Sequence, residues 1–239
     1  LAALIGQAQA GNLDIAQAAS RLKQADARAR QAGAALLPSV GLNAGVNTFY
    51  GQSGSDSRRE TDYSLALGAS YELDFWGRNR DAADSAGFAR DASLAERATV
   101  ALTTASSVAD TYFQLLALRE RLAVAQANIK SAEEILGIVR RRVTAGYAAN
   151  SELTQQLAAI AADKAGLPAL EQQELEARTA LATLLGRPPE GFAVSGENLD
   201  TLRTPMVRPG LTSDLLVRRP DIAAAEANLK SAHADLDAA

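Results

Sequence analysis

The sequence predicts a mainly helical protein that contains one β-hairpin and a long antiparallel coiled coil. Alanine supplies 52 of the 239 residues, whereas aromatic residues make up 5%, and this composition is typical of long helices that pack closely through small side chains. Apolar residues recur at every seventh position between residues 101 and 143, which predicts a coiled-coil seam. Two other segments alternate apolar residues with small or polar ones, which predicts strands.

Composition and charge exclude several classes of function. The chain has no cysteine and a single histidine, His233, so disulfide bonds, cysteine-ligated zinc, thiol catalysis and paired-histidine metal sites are excluded. The net charge of −4 disfavours a nucleic-acid-binding protein, which usually carries a basic excess. The sequence shows no catalytic constellation, no P-loop and no long apolar run. We therefore expect no enzyme activity, no cofactor or metal, and no transmembrane helix.

The first domain, residues 1–37, is predicted to be helical. The helical pattern covers residues 2–35 and is interrupted at Gly11 and Asn12, where Asn12 or Asp14 would cap the second helix. Pro38 ends the pattern, because the residue before a proline avoids the helical region.

The second domain, residues 38–77, is predicted to be a β-hairpin with a polar loop over residues 51–62. The period-two alternation extends over about 11 to 13 residues, similar to the roughly 9 to 11 residues of a tilted membrane-spanning strand. The apolar faces comprise Val40, Leu42, Ala44 and Val46, then Leu65, Leu67, Ala69, Tyr71, Leu73 and Phe75. Aromatic residues at the predicted strand ends indicate the girdles of a membrane barrel: Tyr50, Tyr63, Phe75 and Trp76.

The alternative for this segment is a soluble hairpin whose apolar face packs on a helix, which is the more common case for an arbitrary hairpin. Strand length, the terminal aromatic residues and a small or acidic second face favour the membrane. Because two strands cannot close a barrel and open edges do not occur in lipid, a membrane location requires strands from a second repeat and from other chains.

The third domain, residues 78–186, is predicted to be a helical hairpin. Its first helix runs from Arg78 to about Val143, on the order of 100 Å. The seam positions are Ala101, Val108, Leu115, Leu122, Ile129, Leu136 and Val143, with Thr104, Thr111, Leu118, Ala125, Ala132 and Val139 three residues after the first six. Gly146 would end this helix, Asn150 or Ser151 would cap the next one, and Gly186 would stop it near Leu185.

A connector, residues 187–218, and a final helix, residues 219–239, complete the chain. Pro220 suits the first turn of that helix, and Asp221 with Arg218 and Arg219 predicts a cap and ion-pair cluster. Asp221-Ile222-Ala223 repeats Asp14-Ile15-Ala16 at an offset of 207 residues. We therefore expect one full repeat followed by the first helix of a truncated second repeat; chance similarity between two alanine-rich helices is the alternative.

Segments along the whole chain match the motifs of one known family. They are Asn12-Leu13-Asp14-Ile15, Leu36-Leu37-Pro38-Ser39, residues 71–78 (Tyr-Glu-Leu-Asp-Phe-Trp-Gly-Arg), Gly146 with Glu152-Leu153, Leu184-Leu185-Gly186, and residues 213–222 (Ser-Asp-Leu-Leu-Val-Arg-Arg-Pro-Asp-Ile). With this element order, the sequence resembles the outer membrane factor family of TolC-like efflux channels, especially the NodT-type branch.

The resemblance implies an outer-membrane location in a Gram-negative bacterium, with most of the chain in the periplasm. It implies a homotrimer of the full-length protein, a 12-stranded membrane β-barrel with four strands per protomer, and a periplasmic α-barrel. This chain would supply two strands and one helical hairpin. A periplasmic adaptor and an inner-membrane pump would dock as partners. Members of the NodT branch are usually lipoproteins, and the chain lacks their N-terminal lipid-bearing cysteine.

The family resemblance also indicates candidate functional residues. The tip turn, residues 144–151, would contact the adaptor or form the aperture, and the alternative is an ordinary turn between helices. The tip candidates are Arg140, Arg141, Arg142, Thr144, Gly146, Tyr147, Asn150, Ser151 and Glu152. The three arginines would help to dock the adaptor or to hold the closed end of the channel. Alternatively, they are solvated residues at the C-terminus of a helix, where the helix dipole favours positive charge. Ala149 departs from the serine that many relatives have at this position.

Two acidic residues after the second strand are candidates for the channel interior. Glu72 and Asp74 would face the lumen and favour cations, or would mark the junction between barrel and helices. His233 lies in a polar helical pattern and is expected at the surface.

The leading function is the outer-membrane channel of a tripartite efflux system, a passive exit duct for drugs or other small molecules. The alternative is a periplasmic adaptor or a structural coiled-coil protein. An adaptor would carry a β domain split around its helical hairpin, whereas here an amphipathic β-hairpin precedes the coiled coil.

Overall fold

The computed structural model describes residues 1–53, 56–194, 198–199, 202, 206, 210 and 216–239. Its elements follow the predicted order of helices, β-hairpin, long helical hairpin and final helix. They are α1 (Ala2–Gly11), α2 (Leu13–Ala34), β1 (Ser39–Ser53), β2 (Asp56–Ser70), α3 (Arg78–Thr144), α4 (Asn150–Leu184) and α5 (Pro220–Asp237). Within these ranges no helix combines the length and the apolar character needed to cross a membrane.

The elements form two compact units, the first from residues 1–19 and 97–215 and the second from residues 20–96 and 216–239. In the first unit, the seam between α3 and α4 forms the core. Val108, Leu115 and Leu181 are fully buried, and every predicted seam residue of α3 is buried or half-buried. The seven-residue periodicity therefore predicted the face of α3 that packs inside this unit.

Two glycines let the end of α4 approach the end of α1 closely. Gly186 takes the left-handed conformation, with φ +67°, and a Cβ on it would overlap the Gly11 carbonyl oxygen. A Cβ on Gly11 would lie 2.8 Å from the Leu185 carbonyl oxygen. The Arg187 amide donates to the Ala182 carbonyl at 2.9 Å, which completes a Schellman end of α4. Neither glycine can be replaced without moving backbone.

Asn12 joins the same contact to the start of α2. Its Oδ1 accepts hydrogen bonds from the Asp14 and Ile15 amides at 2.9 and 3.1 Å, so Asn12 is the predicted cap of α2. Its Nδ2 donates to the Leu184 carbonyl at 2.9 Å. Asn12 is 5% exposed, and this buried amide satisfies orphan backbone groups of two helices at once.

The second unit contains the β-hairpin and the helices that pack on the first part of α3. β1 and β2 are antiparallel, and their register pairs Ser39 with Ser70 at one end and Ser53 with Asp56 at the other. Arg90 of α3 donates to Asp26 of α2 at 2.8 Å, and Ser85 of α3 contacts Ser231 of α5 at 3.1 Å between their hydroxyl oxygens.

The predicted loop over residues 51–62 is wrong. β1 extends to Ser53 and β2 begins at Asp56, so most of this polar segment is paired strand. The alternation of apolar and polar side chains ends before residue 51. Strand pairing continues beyond that point because it is made by backbone hydrogen bonds. β2 also ends at Ser70 rather than near Phe75, because β1 begins at Ser39 and offers no partner beyond that row.

The predicted cap of α4 is also wrong. The N-cap residue is Ala149, with φ −82° and ψ 150°, and it makes no side-chain cap hydrogen bond. Asn150, one of the predicted caps, is instead the first helical residue, and Ser151 follows it. α2 and α5 begin at Leu13 and Pro220, the offset expected for the repeat, which stays a prediction.

Replacing Gly186 by alanine should destabilise the protein more than the same change at Gly146. Both glycines have positive φ, but a Cβ on Gly146 would meet nothing within 4 Å. We expect a loss of about 1–2 kcal/mol from backbone strain at Gly146, and roughly 1–3 kcal/mol more at Gly186 from the overlap. Thermal unfolding of the full-length protein, followed by circular dichroism, measures the difference. Equal melting temperatures for the two variants would contradict the close approach.

Candidate functional site

The first candidate surface is the apolar face of the β-hairpin, which has no cover within the described residues. Antiparallel register places Leu42 directly opposite Leu67, Val40 opposite Ala69, and Ala44 opposite Leu65. Directly opposite residues share a face of the sheet. Leu42 and Leu67 are 68% and 75% exposed, so this face is a continuous apolar ladder. We call it the apolar ladder: Val40, Leu42, Ala44, Val46, Leu65, Leu67 and Ala69.

The opposite face of the hairpin is small and polar over residues 39–47 and 62–70, and Phe49, opposite Glu60, is the large apolar residue beyond that stretch. Its rows pair Gly41 with Gly68, Asn43 with Ala66, and Gly45 with Ser64. The Ser64 hydroxyl donates to the Gly45 carbonyl at 3.4 Å, along the strand pair. The two faces therefore differ sharply in chemistry, which is what a sheet between lipid and water requires.

The aromatic residues predicted for strand ends lie in different places. Tyr50 is three residues from the end of β1, where the Arg59 guanidinium lies 5.4 Å from its ring centroid. Tyr63 is in the middle of β2, opposite Val46. Phe75 and Trp76 follow β2 and pack edge to face at 6.1 Å between ring centroids. The expected strand-end positions are thus wrong for Tyr50 and Tyr63, because the strands extend further toward the hairpin turn than predicted. Phe75 and Trp76 lie five and six residues beyond the end of β2. A girdle role of the four residues stays a prediction.

Asp74 has a structural role at the start of α3. Its Oδ2 accepts a hydrogen bond from the Arg80 amide at 2.9 Å, which satisfies an orphan donor of the first helical turn. Gly77, with φ +85°, turns the chain between them. Glu72 is exposed and extends from the segment after β2. This contact explains part of the Glu-Leu-Asp-Phe-Trp-Gly-Arg motif, and a lumen-facing position of either acid stays a prediction.

The second candidate surface is the tip turn between α3 and α4. Gly146 takes φ +77°, its amide donates to the Val143 carbonyl at 3.0 Å, and the Tyr147 amide donates to the Arg142 carbonyl at 2.8 Å. These two bonds form a Schellman motif. The predicted role of Gly146 as the helix end is therefore confirmed, and the turn is a defined structure.

All predicted tip residues are exposed in the first unit. Tyr147 is 81% exposed, and Glu152 lies in the first turn of α4. The Thr144 and Thr154 hydroxyls donate to the carbonyls four residues earlier in their own helices. The exposed set is Arg140, Arg141, Arg142, Thr144, Gly146, Tyr147, Asn150, Ser151 and Glu152. The structure thus brings the candidates to one end of the α3–α4 hairpin.

A polar clamp that the sequence did not predict connects α3, α4 and the connector. Arg119 Nε contacts Glu174 Oε1 at 3.1 Å, and Arg119 Nη1 donates to the Val194 carbonyl at 2.9 Å. Glu174 is 16% exposed at its side chain, so this pair is partly shielded from solvent. Nothing in the local sequence marks Arg119 among the many exposed arginines, because its partners are 55 and 75 residues away.

Of the cluster predicted at the start of α5, Arg219 and Asp221 form the ion pair. The predicted cap is wrong, because the N-cap residue is Arg219 and no side chain makes a cap hydrogen bond. The guanidinium donates two hydrogen bonds to the carboxylate, at 3.0 and 2.6 Å, and Pro220 occupies the first turn as expected. This bidentate contact with Arg219 holds the pKa of Asp221 below its ordinary value of 3.8. His233 is exposed, as predicted, with Asp237 3.8 Å away.

Comparison with known proteins identifies the family of this chain. Residues 4–187 match the family described as outer membrane efflux protein. The chain belongs to this family. The predicted family and the outer-membrane location are confirmed. The Leu-Leu-Gly motif ends α4 where Gly186 meets Gly11, and Asn12 of the Asn-Leu-Asp motif donates to the Leu184 carbonyl.

The relatives include proteins named for export. The chain is 45% identical to the pyoverdine export outer membrane protein OpmQ of Pseudomonas putida, over 99% of this chain and 52% of that protein. It is 29% identical to the probable outer membrane lipoprotein SilC of Salmonella typhimurium, over 99% of this chain and 51% of that protein. The chain therefore spans about half the length of the curated relatives it matches.

Solved structures confirm the fold class. The outer-membrane channel OprN superimposes with a TM-score of 0.87 at 30% identity, over 98% of this chain and 54% of that one. The outer membrane protein VceC of Vibrio cholerae gives a TM-score of 0.80 at 25% identity, over 98% of this chain and 57% of that one. The predicted combination of helical hairpin and membrane-type strands is that of TolC-like channels.

The Asp221 carboxyl group should titrate below its ordinary range. Because its folded pKa is lowered, the contact with Arg219 stabilises the start of α5 above pH 3.8, and this contribution is lost as pH falls through the lowered pKa. Carbon-13 NMR of the carboxyl group measures the titration. Arg219→Gln should return the pKa toward 3.8, and an unchanged titration in that variant would contradict the assigned cause.

Proposed function

We propose that the full-length protein is the outer-membrane exit channel of a tripartite efflux system, through which small molecules pass without chemistry. One observation carries this proposal: a member of the outer membrane efflux protein family exposes a continuous apolar ladder on its only described sheet. Large exposed apolar patches mark contact with a partner or with a membrane. In this family the fitting environment is lipid.

The lipid environment accounts for both faces and both edges of the hairpin. Burying one leucine side chain in an apolar medium contributes about 1.5–3 kcal/mol, so the ladder residues together favour insertion. The polar face would then line a water-filled interior, with Asn43 and Ser64 on it. The outer edges of β1 and β2 require other strands, since unpaired backbone groups do not occur in lipid. We infer that a homotrimer with further strands closes the barrel.

The helical hairpin is the part of the chain proposed to contact the other proteins of the efflux system. Its seam packs α3 on α4 through buried small and apolar residues, and its tip is exposed. We infer that the tip turn, residues 144–151, faces the periplasm and contacts an adaptor that links the channel to an inner-membrane pump. The aromatic residues Tyr50, Tyr63, Phe75 and Trp76 are proposed to lie at the membrane–water interfaces, where amphipathic rings are favoured. Glu72 and Asp74 lie near that boundary in the chain.

The likeness to OpmQ makes pyoverdine the first substrate to test. The full-length protein, expressed in a Pseudomonas putida strain that lacks OpmQ, should restore pyoverdine to the medium. The empty vector and the parent strain set the limits of the assay. If the protein exports another compound but not pyoverdine, the proposed substrate is wrong and the proposed channel function stands. A full-length protein that is absent from the outer membrane would contradict the proposed function.

Charges on the apolar ladder should block membrane assembly, and the same charges on the polar face should not. Leu42→Lys with Leu67→Lys places two lysines in one row, and each costs about 2–4 kcal/mol near the bilayer midplane. Asn43→Lys with Ala66→Lys is the matched control in the next row of the other face. Heat-modifiable trimers in outer-membrane fractions report assembly. Equal assembly of the two variants would contradict the proposed lipid face.

A further inference from the structure

The face that carries the apolar ladder ends, toward the hairpin turn, in a row formed by Tyr50 and Arg59. Antiparallel register places these two residues directly opposite each other, and the row of Thr48 and Thr61 separates them from Val46 at the end of the ladder. The two threonine hydroxyl oxygens are 3.3 Å apart and form a hydrogen bond. This face therefore changes along the strands from apolar to polar and then to cationic.

The Tyr50 ring contacts the positive charge of Arg59. The guanidinium carbon lies 5.4 Å from the ring centroid, within the distance of about 6 Å at which a cation is attracted to an aromatic face. Among the ion pairs that the structure describes, none involves Arg59. A contact with a ring face uses the charge of a guanidinium group but none of its N–H donors, which remain suited to a carboxylate or a phosphate. The ring thus orients a cation that can still bind an anion.

The row of Tyr50 and Arg59 lies at the depth of lipid headgroups in the proposed barrel. Antiparallel strands rise about 3.4 Å per residue, so Val40 and Tyr50 are separated by about 34 Å along β1. A strand tilt of about 35–45° converts this distance to roughly 24–28 Å across the membrane, close to the apolar band of about 25 Å in outer-membrane barrels. The other ends of β1 and β2 lead to the helices. Because the proposed function places the helices in the periplasm, this row lies at the outer leaflet.

The charges near the hairpin turn are divided between the two faces of the sheet. Glu60 is opposite Phe49 and Asp62 is opposite Asn47, and both rows lie on the polar face, whereas Arg59 lies on the face of the apolar ladder. A leaflet of anionic lipids attracts the arginine and repels the two acids. Barrel closure pairs the edges of the strands and leaves both faces of the sheet as they are, so the arginine stays on the lipid side of the proposed trimer.

We propose that Arg59, oriented by Tyr50, binds a phosphate group of the lipopolysaccharide that forms the outer leaflet. The inference rests on the proposed function and adds the lipid that the outer end of the hairpin recognises. A guanidinium group donates two parallel hydrogen bonds to the oxygens of one phosphate. The acyl chains of the same lipid would lie along the apolar ladder, so that one molecule contacts both parts of this face.

The test measures binding of lipid A, the phosphorylated anchor of lipopolysaccharide, to the purified full-length trimer in detergent. The wild type should bind phosphorylated lipid A about fivefold more tightly than dephosphorylated lipid A, the effect of one arginine at an anionic lipid surface. Arg59→Gln should abolish this preference, and Arg59→Lys should keep most of it because the charge remains. Equimolar inorganic phosphate should not displace the lipid, since the acyl chains supply part of its affinity.

Two further positions separate a defined site from the general charge of the hairpin end. Tyr50→Leu removes the ring and should reduce the preference for the phosphorylated form, and Tyr50→Phe should retain it, because the ring face contacts the guanidinium group. Glu60→Gln is the matched control, one residue from Arg59 on the other face of β2, and should bind as the wild type does. A gain in Glu60→Gln as large as the loss in Arg59→Gln would assign the effect to net charge and overturn the proposal.

Equal binding of the two lipid forms by the wild-type trimer would overturn the proposal and leave the channel function intact, and this comparison does not depend on the folding of any variant. A full preference in Arg59→Gln would also overturn it, since the pair with Tyr50 would then only join the two strands. Displacement of the lipid by equimolar inorganic phosphate would assign the site to free anions, which overturns it too. Failure of the wild-type protein to reach the outer membrane would instead contradict the proposed function.

Discussion

The close backbone contact between Gly186 and Gly11 is the constraint on which the rest of the first unit depends. It holds the end of α4 against the junction of α1 and α2 at a distance that no Cβ permits. Asn12 then satisfies backbone groups on both sides of the contact. Because Leu181 and Leu185 lie in the last turns of α4 and are buried, this contact also fixes how the helical seam meets the N-terminal helices.

The two candidate surfaces follow from two different ways of using apolar residues. In the helical hairpin, small and medium side chains close a seam, and the remaining faces are mostly polar with some exposed apolar residues such as Val124, Ile135 and Ile138. In the β-hairpin, apolar side chains lie on one face with no protein cover among the described residues. In the proposed function, a chain with 47% hydrophobic residues can expose many of them because one face of the β-hairpin lies in lipid. The functional proposal depends on this division.

Residue periodicity and turn-forming residues predicted the features of the fold that depend on local backbone geometry. The helical pattern placed α3 within a residue of its observed ends, the seven-residue spacing gave its buried face, and the strand alternation gave the faces of the hairpin. Gly146, Gly186 and Asn12 were predicted because turns and caps require particular residue types. These features depend on residues that are close in sequence.

Contacts between distant residues and backbone pairing were not predictable in the same way. The extension of the strands through residues 51–53 and 56–62 comes from pairing, which side-chain patterns do not report. The cap of α4 falls on Ala149, a residue with no capping group. Arg119 and Glu174 meet only after the helical hairpin has formed. The family resemblance supplied the placement of the tip, which the turn alone would not have distinguished from any helix-to-helix connection.

Thiol accessibility along the hairpin tests the central claim that one face of the hairpin lies in lipid and the other in water. Residues 1–239 contain no cysteine. In a full-length protein without reactive cysteines elsewhere, single cysteines at residues 40–47 and 63–69 each report one position in outer membranes. We expect cysteines on the apolar ladder, such as Leu42→Cys, to resist a membrane-impermeant thiol reagent, and those on the polar face, such as Asn43→Cys, to react. Uniform reactivity along both strands, or alternation of the opposite phase, would contradict the account.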